Sequence, residues 1–397
     1  MSQALSDVLV IDLTRVLAGP YGTMILGDFG ARIIKIEQPG RGDESRYWGP
    51  PFTASGESAY FLCANRNKQS ITLNLKTTGG RQVLRDLVLR ADVLIENFKV
   101  GTMSRLGLGY ESLRNLNPGL IYCAITGYGQ TGPYRERPGY DTVIQAQGGL
   151  MSITGPPDAE PFKVGVAIVD ITAGLYAVLS ILVALLHRRR TGEGQFIDIA
   201  LFDAQIGWLA NVASSYLVSG HSPKRYGNAH ATIVPYQTVP TADGWLMLAV
   251  GNDVQFASLC EVLHHPEWQT DLRFATNPAR VTNRDILTSE LQAIFPMQPT
   301  RLWVQVLLDA GIPCGPVNDI PAALSDPQTQ ARQMVQTIEH PMGGTIPQIG
   351  PVPKLSVTPA AIASPPPVLG EHTETVLREL LGYGDEHVAV LRAAGAI

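Results

Sequence analysis

Charge, cysteine and long apolar runs are all scarce in this chain, and each scarcity narrows what it can be. Only 16% of the 397 residues are charged, and acids outnumber bases 35 to 30, for a formal net charge of -5. Nothing general draws such a chain to nucleic acid or to an anionic membrane, so a polyanionic ligand must meet a local basic site. The four cysteines, Cys63, Cys123, Cys260 and Cys314, stand far apart and lack the paired spacing of a zinc site or a redox motif. Reduced thiols in a cytoplasm are expected. The start, MSQALSDVLVIDL, enters an apolar run at once, with neither a basic leader nor a small-residue cleavage site, which also predicts a cytoplasmic protein. One stretch, 164–186, is almost wholly apolar and precedes His187, Arg188, Arg189 and Arg190. Asp170 interrupts it, and the remaining 171–186 fall short of the roughly 18 to 20 residues a bilayer requires. A buried core helix is predicted.

The 45% hydrophobic composition can fill a large core, and two domains are expected at this length. In the first half, short β-branched runs alternate with amphipathic segments, the pattern of a doubly wound α/β domain with a parallel sheet. Strands are predicted at 8–13, 32–37, 70–75, 92–98 and 120–127, with a helix at 79–90. The long helix after Asp170 has Asp170 itself as its predicted N-cap, arginines at its negative end and Gly192 at its C-terminal turn, before a strand at 195–201. Residues 1–200 are thus expected to form the large domain, 201–224 a linker, 225–324 a smaller α+β domain with a strand at 245–250, and 325–397 a further linker and tail. That tail is proline-rich, ends in a helix near 373–381, and is predicted to wrap back on the large domain.

Asp170 is the focal residue, because an acid in so apolar a setting must be capped, paired or used. A carboxylate can attack an activated acyl carbon, and helix N–H groups are expected to keep it ionised. The GYGQTGP segment (127–133) fits neither the GxGxxG nor the P-loop spacing, so nucleotide hydrolysis is not indicated; it reads as an active-site loop, mobile or tight, or as a surface turn.

Five further segments occur in order: NRNKQSITLNLK (65–76), IENFKVGTMSRLGLGY (95–110), ITGYGQTGPYRERPGYD (125–141), GVAIVDITAGLYAV (165–178) and GIPCGPVND (311–319). With PPPVLGEHT (365–373), they make the chain resemble, end to end, the class III, formyl-CoA transferase-like (CaiB/BaiF) CoA-transferases. The resemblance implies Asp170 as nucleophile, with acyl-enzyme anhydride and aspartyl-CoA thioester intermediates, CoA thioesters as substrates, no permanently bound cofactor and no metal. It implies CoA contacts from Val16, Leu17 and Ala18 at the pantetheine end. Leu73, Lys76, Asn97, Phe98 and Arg105 match positions that grip the nucleotide and phosphates, and Tyr140 falls in the site. Arg15 and Leu17 depart from the family's usual His and Gln. NAHATIVPYQ (228–237) resembles the succinyl-CoA-dependent, glutarate-type dicarboxylate branch, whereas the glycine-run loop of formyl-CoA transferases is absent. Arg15 and Arg46 are therefore expected to read the free carboxylate of a dicarboxylic acyl group. An interlocked-ring homodimer is also implied. Two alternatives stay open: an α-methylacyl-CoA racemase of the same fold, against which Tyr140 stands where a His is needed, and a noncatalytic acyl-CoA-binding protein.

Overall fold

The computed structural model describes residues 3–342 and 344–397, and it divides into two compact units. The larger comprises 1–150, 164–214 and 327–397; the smaller comprises 151–163 and 215–326.

Six parallel strands form the larger unit's sheet: β1 (Leu9–Asp12), β2 (Arg32–Glu37), β3 (Lys68–Thr72), β4 (Val93–Glu96), β5 (Ile121–Thr126) and β6 (Phe196–Ala200). Their order is β3-β2-β1-β4-β5-β6. It reverses between β1 and β4, and such a switch point opens a crevice beyond the carboxyl ends of the strands. Val93 to Glu96 and Ile121 to Thr126 are buried throughout, as strands covered on both faces must be. One core cluster gathers Val10, Val93, Ile121, Ala173 and Ile181; the other gathers Ile11, Leu94, Leu84, Tyr122 and Val376.

Helix α1 (Ala18–Asp28) follows β1, and α2 (Thr78–Val88) starts where the Thr77 hydroxyl accepts the Gly80 amide at 3.0 Å. Helix α3 (Asp141–Gln147) precedes the long α4 (Ile168–Thr191). Gly192 ends α4 at φ 78, its N–H donating to Arg188 O, and Arg188 to Arg190 occupy the last turn. Although α4 is long and apolar enough to cross a bilayer, Ala173, Ala177, Ile181 and Ala184 lie in the core. The N-cap is Ala167, with Asp170 inside the first turn, which corrects the predicted cap. Helices α1 and α4 cross closely at glycine: a Cβ on Gly174 would come within 2.5 Å of Ala18 O. That contact brings the start of α1 beside the start of α4.

The predicted linker at 201–224 is helical instead: α5 (Leu201–Trp208) buries Leu201, Ala204 and Gln205, and α6 (Ala210–Ser219) follows. After the smaller unit the chain returns, pairs β10 (Val335–Glu339) with β11 (Thr345–Ile349), and ends in α7 (Thr373–Leu381) and α8 (Asp385–Ala393). Val376, Leu377, Val388 and Leu391 join the second core cluster. The smaller unit holds an antiparallel sheet of β7 (Tyr236–Pro240), β8 (Trp245–Ala249) and β9 (Cys314–Pro316), flanked by helices around Phe256, Leu291 and Leu307.

Candidate active site

At the switch point a cavity of about 210 Å³ opens between the loops that follow β1, β4 and β5. Arg15, Val16, Leu17 and Ala18 line one side, Asn97, Phe98 and Lys99 another, and Asp170 reaches it from the first turn of α4. Tyr140, 64% exposed, lies on the rim with Arg135 and Arg137. Four bases from three loops, Arg15, Lys99, Arg135 and Arg137, line the cavity beside the acids Glu44, Glu136 and Asp170, giving local positive charge that a polyanionic ligand could meet within an acidic chain. The 127–133 loop is tight: the Gly129 amide donates to the Thr126 hydroxyl at 2.9 Å, that of Gln130 to Asp198 at 2.9 Å, and Gly127 leaves no room for a Cβ against Gly139.

The carboxyl of Asp170 is partly buried, and burial, with the Asp141 carboxylate as a second cause, pushes its pKa up to about 7. This corrects the expectation of a carboxylate held ionised by helix amides. Those amides are taken by Asp141, whose Oδ2 accepts Val169 N–H at 2.7 Å and Asp170 N–H at 3.2 Å. Its Oδ1 accepts from Gln145 Nε2 at 2.6 Å, and Gln145 Oε1 accepts Val164 N–H. Tyr60 feels the same two acids: burial and the Asp170 charge push its phenol up to about 12.

A layer of buried charge lies within the sheet unit, behind the loop that carries 15–18. Lys68 reaches Asp12 at 3.1 Å and Lys35 reaches Asp43 at 2.9 Å, all four side chains being buried. Burial pulls Lys68 down to about 8; at Asp43 burial works upward, but the Lys35 charge and the Ser45 hydrogen bonds prevail and bring it to about 2.

The predicted site residues divide accordingly. Arg15, Val16, Leu17, Ala18, Asn97, Phe98, Tyr140 and Asp170 meet in one cavity. Lys76 and Arg105 are exposed beyond the carboxyl ends of β3 and β4, outside its lining. Leu73 belongs to the core, so its side chain is not free to grip a ligand. Arg46 is a correction: it is 9% exposed, forks onto Glu37 at 2.8 and 2.7 Å, donates to Pro367 O and lies over the Phe61 ring. It is committed to Glu37 and does not line the cavity. Arg15 does, with its guanidinium 3.1 Å from Glu44 and 5.3 Å from the Phe98 ring centre. Lys99, Arg135, Arg137, Glu44 and Asp141 were missed, although the alternating charges of Arg135-Glu136-Arg137 inside a quoted segment were a usable signal.

A doubly wound sheet with a cavity at its switch point, lined by four basic residues and by a partly buried acid at a helix start, has the architecture of an α/β enzyme. The chain belongs to CoA-transferase family III, whose model matches residues 5–373, and it is a CoA-transferase. It is 45% identical to the succinyl-CoA:glutarate CoA-transferase of Mus musculus over 393 residues, covering 99% of this chain and 90% of that protein. It is 49% identical to the succinate–glutarate CoA-transferase of Agrobacterium fabrum over 385 residues, covering 95% of each. A CAIB/BAIF family protein from Brucella suis, known from its crystal structure, superposes with a TM-score of 0.87 at 48% identity, covering 96% of this chain and all of that one.

Proposed function

We propose that this CoA-transferase moves CoA from succinyl-CoA to a second dicarboxylic acid, with Asp170 carrying the acyl and then the CoA group. The observation that carries the reading is the Asp170 carboxyl in a cavity that Arg15, Lys99, Arg135 and Arg137 also line, beside the start of α1, with no side-chain hydrogen bond of its own among the described residues. The names of the mouse and Agrobacterium relatives support the dicarboxylate class. Asp170 attacks the donor thioester, the C–S bond breaks, and a mixed anhydride and CoA thiolate form. The thiolate attacks the aspartyl carbonyl, displacing succinate and leaving an aspartyl-CoA thioester. The acceptor carboxylate then attacks that thioester, and the freed thiolate takes the acceptor acyl group from the second anhydride, restoring the Asp170 carboxylate. One thioester replaces another, so no ATP is needed.

Lys76 and Arg105 are proposed to meet the CoA phosphates from outside the cavity, and Arg15 to read the distal carboxylate of the acyl group. A homodimer is part of the reading, supported by the exposed apolar stripe of Leu175, Leu179, Val183 and Leu186 along α4. Incubation with succinyl-CoA, hydroxylamine or borohydride trapping and intact-mass measurement test the mechanism. A trapped modification at Asp170, with transfer lost in Asp170→Asn while CoA-ester binding persists, is expected. Near-normal turnover by Asp170→Asn would sink it.

A further inference from the structure

Val16 stands at φ 71, a left-handed conformation that a β-branched residue rarely adopts. It sits midway along the cavity wall formed by 15–18. Such strain persists only where surrounding contacts over-determine it, and it gathers at functional sites. Two side chains supply those contacts. Asp43 Oδ1 accepts the Val16 amide at 3.2 Å while also accepting the Ser45 amide and hydroxyl at 3.0 and 2.8 Å. Its Oδ2 takes Lys35 Nζ at 2.9 Å, and the same ammonium donates to Thr14 O at 2.9 Å, fastening both ends of the arrangement to β2. From the other side Asn97 brackets the preceding residue: its Oδ1 accepts Arg15 N–H at 3.0 Å and its Nδ2 donates to Arg15 O at 2.8 Å. The Asn97 amide is thus engaged by backbone, which shifts its expected role from gripping nucleotide to shaping the loop.

We propose that Asp43 and Asn97 are positioning residues that hold Val16 in its left-handed turn and so preform the 15–18 wall that receives the acyl-thioester end of a CoA ester. The proposal rests on the CoA-transferase reading of this cavity. Released from either clamp, Val16 relaxes toward the extended region, and the wall must be rebuilt each time substrate binds. A glycine at the position loses little by staying left-handed. The dependence on the clamps therefore falls when Val16 is replaced by Gly, which a merely structural role for Asn97 would not bring about.

The test is a double-mutant cycle on kcat/KM for succinyl-CoA using Asn97→Ala, Val16→Gly and the pair, with the same cycle for Asp43→Asn. Asn97→Ala should lower kcat/KM about tenfold in the Val16 chain, chiefly through KM, and less than about threefold in the Val16→Gly background. An equal loss in both backgrounds overturns the proposal. Asp43→Asn leaves Lys35 without its partner charge; should that variant not fold, the Asn97 cycle decides alone. Absence of transfer by the unaltered protein would instead overturn the parent reading, so the two failures are distinguishable.

Discussion

The Asp141 carboxylate accepts the backbone N–H of Asp170 at 3.2 Å, so the group that caps α4 also lies close enough to raise the pKa of the proposed nucleophile. One residue both steadies the helix and holds back the charge of its neighbour.

The first prediction concerns pH. The Asp170 carboxyl titrates near 7, so only its deprotonated fraction attacks, and kcat/KM for the acyl-CoA should fall about tenfold per unit well below that midpoint. Asp141→Asn retains an amide oxygen to cap α4 but removes the like charge, so the acid limb should move to lower pH. The sign for stability is opposite to that of a salt-bridged acid. The folded carboxyl keeps its proton up to about pH 7 while the ordinary value is 3.8, so unfolding free energy declines as pH rises between them. Asp170→Asn should therefore melt higher than the unaltered protein at pH 8, by about 1 to 2 kcal/mol once solvent screening at a partly exposed site is allowed for, and equally below pH 4. Melting curves at the two pH values check it; no gain at pH 8 would remove the raised pKa.

The two arginines once expected to act together should now behave differently. Arg15→Leu should lose activity with succinyl-CoA yet retain it with butyryl-CoA, because its guanidinium faces the cavity beside Glu44. Arg46→Leu strands the buried Glu37 and should cost about 3 to 5 kcal/mol of stability, with both substrates affected alike. A denaturation midpoint for each variant, beside the two substrate rates, separates the cases. Equal loss on both substrates for Arg15→Leu would end its assignment as the reader.

Gly174→Ala probes how exactly the two helix starts must meet. The added methyl would sit 2.5 Å from Ala18 O, a backbone atom that cannot swing aside, so α1 and α4 must part. We expect a loss of about 1 to 3 kcal/mol in stability, with a larger fall in kcat than that loss explains, since Asp170 lies one turn from Gly174 and Ala18 lines the cavity. Unaltered kcat in a folded Gly174→Ala protein would show that the spacing is not critical.

The sheet was largely legible, because runs such as Arg32–Glu37 are β-branched and bounded by turns; that strand lies where it was read. The third strand begins two residues earlier than predicted, at Lys68, since a lysine reads as a boundary until Asp12 is known to lie opposite its Nζ. Helix α6 carries no strong period, whereas the 335–349 hairpin had a turn signal in HPMGG (340–344) between two short runs; both were passed over. Asp170 stood out by its apolar setting, but its raised pKa comes from its burial in the folded chain and then from Asp141, 29 residues away, a distance only folding closes. Arg46 misled for the same reason: the 40–46 loop folds its guanidinium back onto Glu37. The CoA-transferase class was legible through several ordered segments, and the family match covers nearly the same span.

The closing of the second core cluster by Val376, Leu377, Val388 and Leu391 has a consequence for synthesis. A ribosome makes the β1 to β6 region long before the tail residues that complete one of its faces, while 215–326 of the smaller unit are made in between. For that interval the part of the cluster that the tail covers stays exposed, apolar surface of the kind that makes a folding intermediate prone to aggregation. A premature stop between residues 326 and 376 would make that exposure permanent, although every residue lining the cavity had already been made.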